Sequence, residues 1–142
     1  MGNLLKLVAA ALLLVGATGA KAKIDASKVT TCAVHSAHSC SPGVGCGAIS
    51  PGAAGLPNFV SVDFAKQIVL PLGNMADKRT SKIQSMTTID GKITVQGVED
   101  GAQAIVDGAG WTASIDKKSG HMVVTMASAP DSLVLFGACI TQ

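Results

Sequence analysis

The 142-residue chain contains no Tyr, one Trp and three Phe. That shortage removes the stacking surfaces on which single-stranded nucleic acids are held, and it weakens any sugar-binding platform. Basic residues are scattered, apart from Lys78, Arg79 and Lys82 and the pair Lys117 and Lys118. The concentrated basic face of a nucleic-acid binder is therefore missing. There is no G-x-S-x-G, no H-E-x-x-H and no P-loop, which removes the recognisable starting points of serine-hydrolase, zinc-protease and nucleotide chemistry. No apolar run reaches the ~20 residues of a membrane-spanning helix. No cofactor is expected.

What is present begins with an 11-residue apolar run, LVAAALLLVGA at 7–17, preceded by Lys6 and followed by the small-x-small triplet Ala20-Lys21-Ala22. Charge, apolar core and small residues in that order are the layout of a secretory signal peptide. The sequence thus predicts a leader over 1–22 cleaved after Ala22, one domain over 23–142, and a periplasmic or secreted destination. Cys32 lies ten residues past the cut, so neither a lipid anchor nor stable membrane insertion is expected after cleavage. Removing Lys6 and Lys21 from the eleven Lys and Arg leaves nine against nine Asp and Glu. The mature chain then has no charge bias toward polyanions.

Four cysteines in a short exported chain read as two disulfides, with three possible connectivities. Cys32, Cys40 and Cys46 cluster early and Cys139 lies near the end. The preferred pairing is Cys40 with Cys46 inside a loop, and Cys32 with Cys139 between the terminal strands, which become neighbours if the sheet closes. On loop-entropy arguments the long bridge contributes about 4 to 5 kcal/mol and the short one roughly 2 to 3. The alternative is a metal site, since Cys32, His35, His38, Cys40 and Cys46 form C-x2-H-x2-H-x-C-x5-C, a dense set of soft ligands. That spacing matches no common zinc module. On a strand over 29–40, moreover, Cys32, His38 and Cys40 share a face while His35 points the other way.

Beyond the leader the chain reads as eight short strands. The first covers 29–36, and 39–57, rich in Gly, Pro and Ser, reads as a long loop. FVSVDF at 59–64 alternates with Val60, Val62 and Phe64 on one face. QIVLPL at 67–72 follows, with Pro71 marking a sheet edge or strand end. QSMTTI and KITVQ flank Asp90-Gly91, the dipeptide of a type I′ hairpin. Residues 98–110 read as a second loop with a helical turn at 102–106. Trp111, Ala113 and Ile115 alternate, a turn follows at 116–120, and Met122, Val124 and Met126 alternate again. LVLFGACI at 133–140 is almost wholly apolar, which predicts burial on both faces. The expected fold is all-β: a single antiparallel meander closed into an eight-stranded barrel, with a β-sandwich as the alternative.

No catalytic constellation emerges, so the domain reads as non-enzymatic. His121 stands alone at a strand start. The carboxylates Asp63, Asp90, Glu99, Asp100, Asp107, Asp116 and Asp131 lie in or beside turns, where Asp serves its own backbone. Glu99-Asp100-Gly101 with Asp107-Gly108 is a weak calcium candidate lacking the EF-hand pattern. Trp111 reads as a core or rim anchor. With Lys117, Lys118, Ser119, Gly120 and His121 it forms the candidate interaction surface.

The segments FVSVDF, TTIDGKITVQG, GWTASIDKKSGHMVVT and LFGACI together resemble a group of small exported Gram-negative bacterial proteins. These share an early cysteine cluster, a G-W-[ST]-x-x-I-D-x-x-[ST]-G turn and a closing G-[AT]-C. The resemblance implies fold and compartment. At the level of fold the chain is also similar to the small barrels that inhibit c-type lysozyme and staple their terminal strands by a disulfide. Those carry Ser-Gly-x-x-Tyr; here Ser119-Gly120 is followed at position 123 by Val.

Two functions are expected from this reading. The first is a binding or inhibitory module acting on an envelope protein through 39–57 and the 116–121 turn. The second is a small-molecule or lipid carrier, with a lumen lined by Val60, Val62, Met122, Val124 and Met126 and needing a cavity of at least ~300 Å³.

Overall fold

The computed structural model describes residues 23–73, 80–99 and 108–141. The leader, the helical turn expected at 102–106, and Lys78, Arg79, Asp100 and Asp107 lie outside the described residues. The described backbone forms nine strands: β1 (Thr30–Ser41), β2 (Gly45–Ile49), β3 (Phe59–Asp63), β4 (Ile68–Pro71), β5 (Ser81–Ile89), β6 (Lys92–Glu99), β7 (Gly110–Asp116), β8 (His121–Ser128) and β9 (Asp131–Thr141). All pairings are antiparallel, in the order β1, β3, β4, β5, β6, β7, β8, β9. β9 then pairs back along β1 from Thr30 to Cys40, closing an eight-stranded barrel.

Alternation sets which residues face inward, because successive side chains point to opposite sides of a strand. Ile93, Val95, Ala113, Ile115 and Met122 are buried, as the period-two pattern requires. The β5–β6 hairpin turns on two residues, with Ile89 opposite Lys92. Asp90 and Gly91 have φ of 50° and 74°, the positive values a type I′ turn demands. Pro71 is the last residue of β4, where its missing N–H removes no ladder bond from the strand interior.

The two disulfides are Cys32–Cys139, with an S–S distance of 2.10 Å, and Cys40–Cys46, at 2.04 Å. Cys32 lies directly opposite Cys139 across the β1–β9 seam, so the long bridge locks the barrel where it closes. Such bridges belong to an oxidising compartment. All four sulfurs are consumed, and the metal cluster of Cys32, His35, His38, Cys40 and Cys46 is not assembled.

Three expectations are corrected. The segment 39–57 is not all loop: β1 continues to Ser41, and β2 pairs with its outer half from Ala37 to Ser41 as a ninth strand outside the barrel. A free edge on β1 and the Cys40–Cys46 bridge hold strand conformation in a Gly-rich stretch with little propensity for it. Next, β9 is not buried on both faces. Leu135 and Cys139 are buried, whereas Phe136 and Ile140 remain 37% and 53% exposed, because a barrel wall has one covered side. Last, His38 does not share a face with Cys32. The β1–β9 register shifts between Val34 and Ser36, and this bulge at His35 reverses the alternation. Ala37 therefore turns inward, and His38 stands outside, edge-on to Phe136 at 6.1 Å between ring centroids.

The ends of the barrel differ. Tight turns at 64–67, 90–91 and 116–120 surround one end, and the chain before β1 plugs it. Ile24 is wholly buried, its N–H donating to the Lys117 carbonyl at 2.8 Å, and the Asp25 N–H donates to Thr141 Oγ1 at 3.0 Å. The opposite end carries the 50–57 turn and the ends of β4 and β6.

Candidate functional site

Residues paired across neighbouring strands face the same way, so the interior is built in rungs. Nearest the plugged end, Ile93, Ile115 and Met122 lie side by side. Above them come Val95, Ala113, Val124 and Leu135, and above those Gly97, Trp111 and Met126. The space at Gly97 is taken by the Trp111 ring, and Ala113 gives its rung only a methyl group. The result is a cavity of about 130 Å³ running from Ile115 and Met122 to Leu56, Ser81 and Glu99 at the loop-bearing end. Val60, Val62, Met122, Val124 and Met126, the lining expected from the sequence, all border it.

Trp111 is 9% exposed and faces this lumen, with its Cε2–Cζ2 edge packed against Gly97. Its indole Nε1, bonded to Cε2, is buried and has no hydrogen-bond partner. Among the described residues it is the one buried side-chain polar atom in that condition. Leaving a buried donor unmet costs about 1 to 3 kcal/mol. Glu99, 7% exposed, lines the lumen's loop end, and its N–H donates to the Ala109 carbonyl at 2.9 Å. The sequence does not show its inward direction, because the KITVQ strand ends at Gln96 and 98–110 reads as a loop. Ile93, Val95, Gly97 and Glu99 continue one alternation, and that was the available signal.

The volume restricts what can enter. It falls short of the ~300 Å³ of a drug-sized ligand site and is close to the ~150 Å³ of an apolar cavity that admits benzene. A whole lipid does not fit; a small apolar molecule, or the end of a larger one, does.

The interaction surface expected at Trp111, Lys117, Lys118, Ser119, Gly120 and His121 is not assembled. Trp111 points inward near the loop end, whereas 117–121 turns at the plugged end. Lys118, Ser119 and His121 are exposed there, Lys117 is half-buried, and Gly120 is buried beneath the Cys139 carbonyl. The 39–57 segment lies at the far end of the barrel from this turn. His121 is level with Ala33 through Ala138, while Cys40 is seven residues further along β1, roughly 20 Å at strand rise.

The turn is internally satisfied. Asp116 Oδ1 accepts from the N–H groups of Lys118 at 3.0 Å and Ser119 at 2.8 Å, and from the Ser119 hydroxyl at 2.9 Å. The backbone N–H of Ser119, foremost among these, holds the Asp116 carboxyl below its ordinary value of 3.8. Asp63 is held low in the same way, first by the Lys66 N–H at 2.9 Å and then by the Lys66 ammonium at 3.1 Å. Asp90 shapes its hairpin and Asp131 starts β9 beside a turn. No group of three or more His, Cys, Asp or Glu positioned for a metal occurs among the described residues. The His35 ring Nδ1 shares a hydrogen bond with its neighbour, Ser36 Oγ, at 3.2 Å. No protein-family model, no curated protein and no solved structure matches this chain.

Proposed function

We propose that the protein is an exported, non-enzymatic binding protein of the periplasm or extracellular space that holds a small apolar molecule in its barrel lumen. The observation that carries this reading is the unfilled apolar space of about 130 Å³ reaching the loop-bearing end. An eight-stranded barrel can fill its interior with side chains or keep room for one small ligand. Here the small residue Ala113 stands on the lining where a larger one would close the gap. The leader-like 1–22 segment and the two disulfides support delivery to an oxidising space.

The test is a titration with cyclohexane, followed through the methyl resonances of Met122 and Met126. Binding in the lumen gives saturable shifts that disappear in Ala113→Leu, whose side chain occupies the space. Absence of a saturable shift in the wild type contradicts the proposal.

Docking on an envelope protein is the second reading, and the apolar outer wall favours it. Val123 lies opposite Phe136, and Ile140 and Phe59 are also exposed on that side. It requires a defined envelope partner that binds the wild type and is lost with Phe136→Ser; equal binding by both proteins rejects this surface.

A further inference from the structure

We infer that the lumen ligand is a neutral molecule bearing one hydrogen-bond acceptor, such as a small ketone, ester or lactone, whose oxygen accepts from Trp111 Nε1. This rests on the lumen-binding proposal and adds the chemical class of the occupant.

The indole nitrogen decides the matter. Trp111 is nine-tenths buried in the wall of a mostly apolar cavity whose other polar lining residues, Ser81 and Glu99, lie at its loop end, and its N–H meets no protein acceptor. Indole nitrogen is a donor only, so the complementary group is an acceptor. A pure hydrocarbon would fill the volume and leave the N–H unmet. A molecule with a carbonyl on a short apolar body satisfies both features of the site.

Charge narrows the class further. Among the described residues no Lys, Arg or His borders the lumen, and the titratable side chain that does is the acidic Glu99. A carboxylate entering this space would lose its hydration with no described cation to receive it, which is costly. The acceptor is therefore uncharged.

The experiment compares cyclohexane, cyclohexanone and cyclohexanecarboxylate, three probes with the same ring. The chain has one Trp, so the nitrogen–proton correlation spectrum contains one indole peak, and the methionine methyls report occupancy independently. Cyclohexanone is expected to shift the methyls and to move the indole proton downfield; cyclohexane is expected to shift the methyls without that movement. Trp111→Phe, which retains a ring and removes the donor, is expected to weaken cyclohexanone about tenfold more than it weakens cyclohexane. Taking that ratio cancels the different hydration of the two probes.

If both probes shift the methyls but the indole proton stays in place, the acceptor assignment is overturned while lumen binding stands. Cyclohexanecarboxylate binding as tightly as the ketone overturns the restriction to neutral ligands. If no probe shifts the methyls, the lumen proposal itself falls. The indole measurement uses the wild-type protein, so it remains decisive should Trp111→Phe fail to fold.

Discussion

Gly97 lies directly opposite Trp111 across the β6–β7 ladder, and a Cβ on Gly97 would overlap both the indole ring and the Lys82 carbonyl oxygen. Alanine in place of glycine ordinarily strengthens a strand, because glycine loses the most backbone freedom on folding. Here the sign reverses. Gly97→Ala is expected to destabilise the domain by about 1 to 3 kcal/mol, the usual cost of overpacking. Urea unfolding followed by Trp111 fluorescence checks it, and an unchanged midpoint would place the indole elsewhere.

The two disulfides should separate cleanly. Cys32 and Cys139 are 0% and 1% exposed, whereas Cys46 is on the surface. A water-soluble reductant at low concentration is expected to open Cys40–Cys46 first, as read by alkylation and peptide mapping. Replacing both cysteines of the Cys32–Cys139 bridge, which closes a sequence separation of 107, should cost about 4 to 5 kcal/mol. The same change at Cys40 and Cys46 should cost roughly 2 to 3.

Ile24 plugs the barrel end although it precedes the first strand. Its side chain is wholly buried among core residues. Ile24→Ala is expected to cost about 2 to 5 kcal/mol in denaturant unfolding. A loss much below that range would mean the segment before β1 contributes little to the core.

Acid should weaken the turn-bearing end. Asp25, Asp63 and Asp116 all sit below the ordinary 3.8, each chiefly through a backbone N–H donated to its carboxylate. A carboxyl lowered in the folded state stabilises above its unfolded value, and that contribution is lost as pH falls through the lowered one. The urea midpoint is therefore expected to hold from about pH 7 to about pH 5 and to drop below about pH 4. Asp116→Asn should reduce that drop; an identical pH profile in the variant would remove Asp116 from the explanation. The effect is small, since these groups face water.

The eight barrel strands were legible because each shows alternation or a short apolar run bounded by turn residues. The Cys32–Cys139 pairing followed from closure of the sheet. β2 was not legible, since Gly45–Ile49 has almost no apolar alternation and is held by a neighbour's free edge and a disulfide. The bulge at His35 left no composition signal, so the faces of His38 and Cys40 were assigned by a parity that the bulge reverses. The lumen lining could be read from alternation, but its empty volume could not. Whether Ala113 leaves a gap depends on what its neighbours across the rungs fill, and only the closed barrel decides that. Trp111 reads from the sequence as a core or rim anchor and as part of an interaction surface; the structure takes the inward option, and the glycine opposite makes room for the ring.

The claim that the lumen is open and takes an apolar guest is tested most directly by crystallography under xenon pressure, since xenon enters empty apolar cavities. A xenon atom bound among Val95, Ala113, Val124 and Trp111 is the expected result. A lumen closed by these side chains, with xenon absent from it, would contradict the claim.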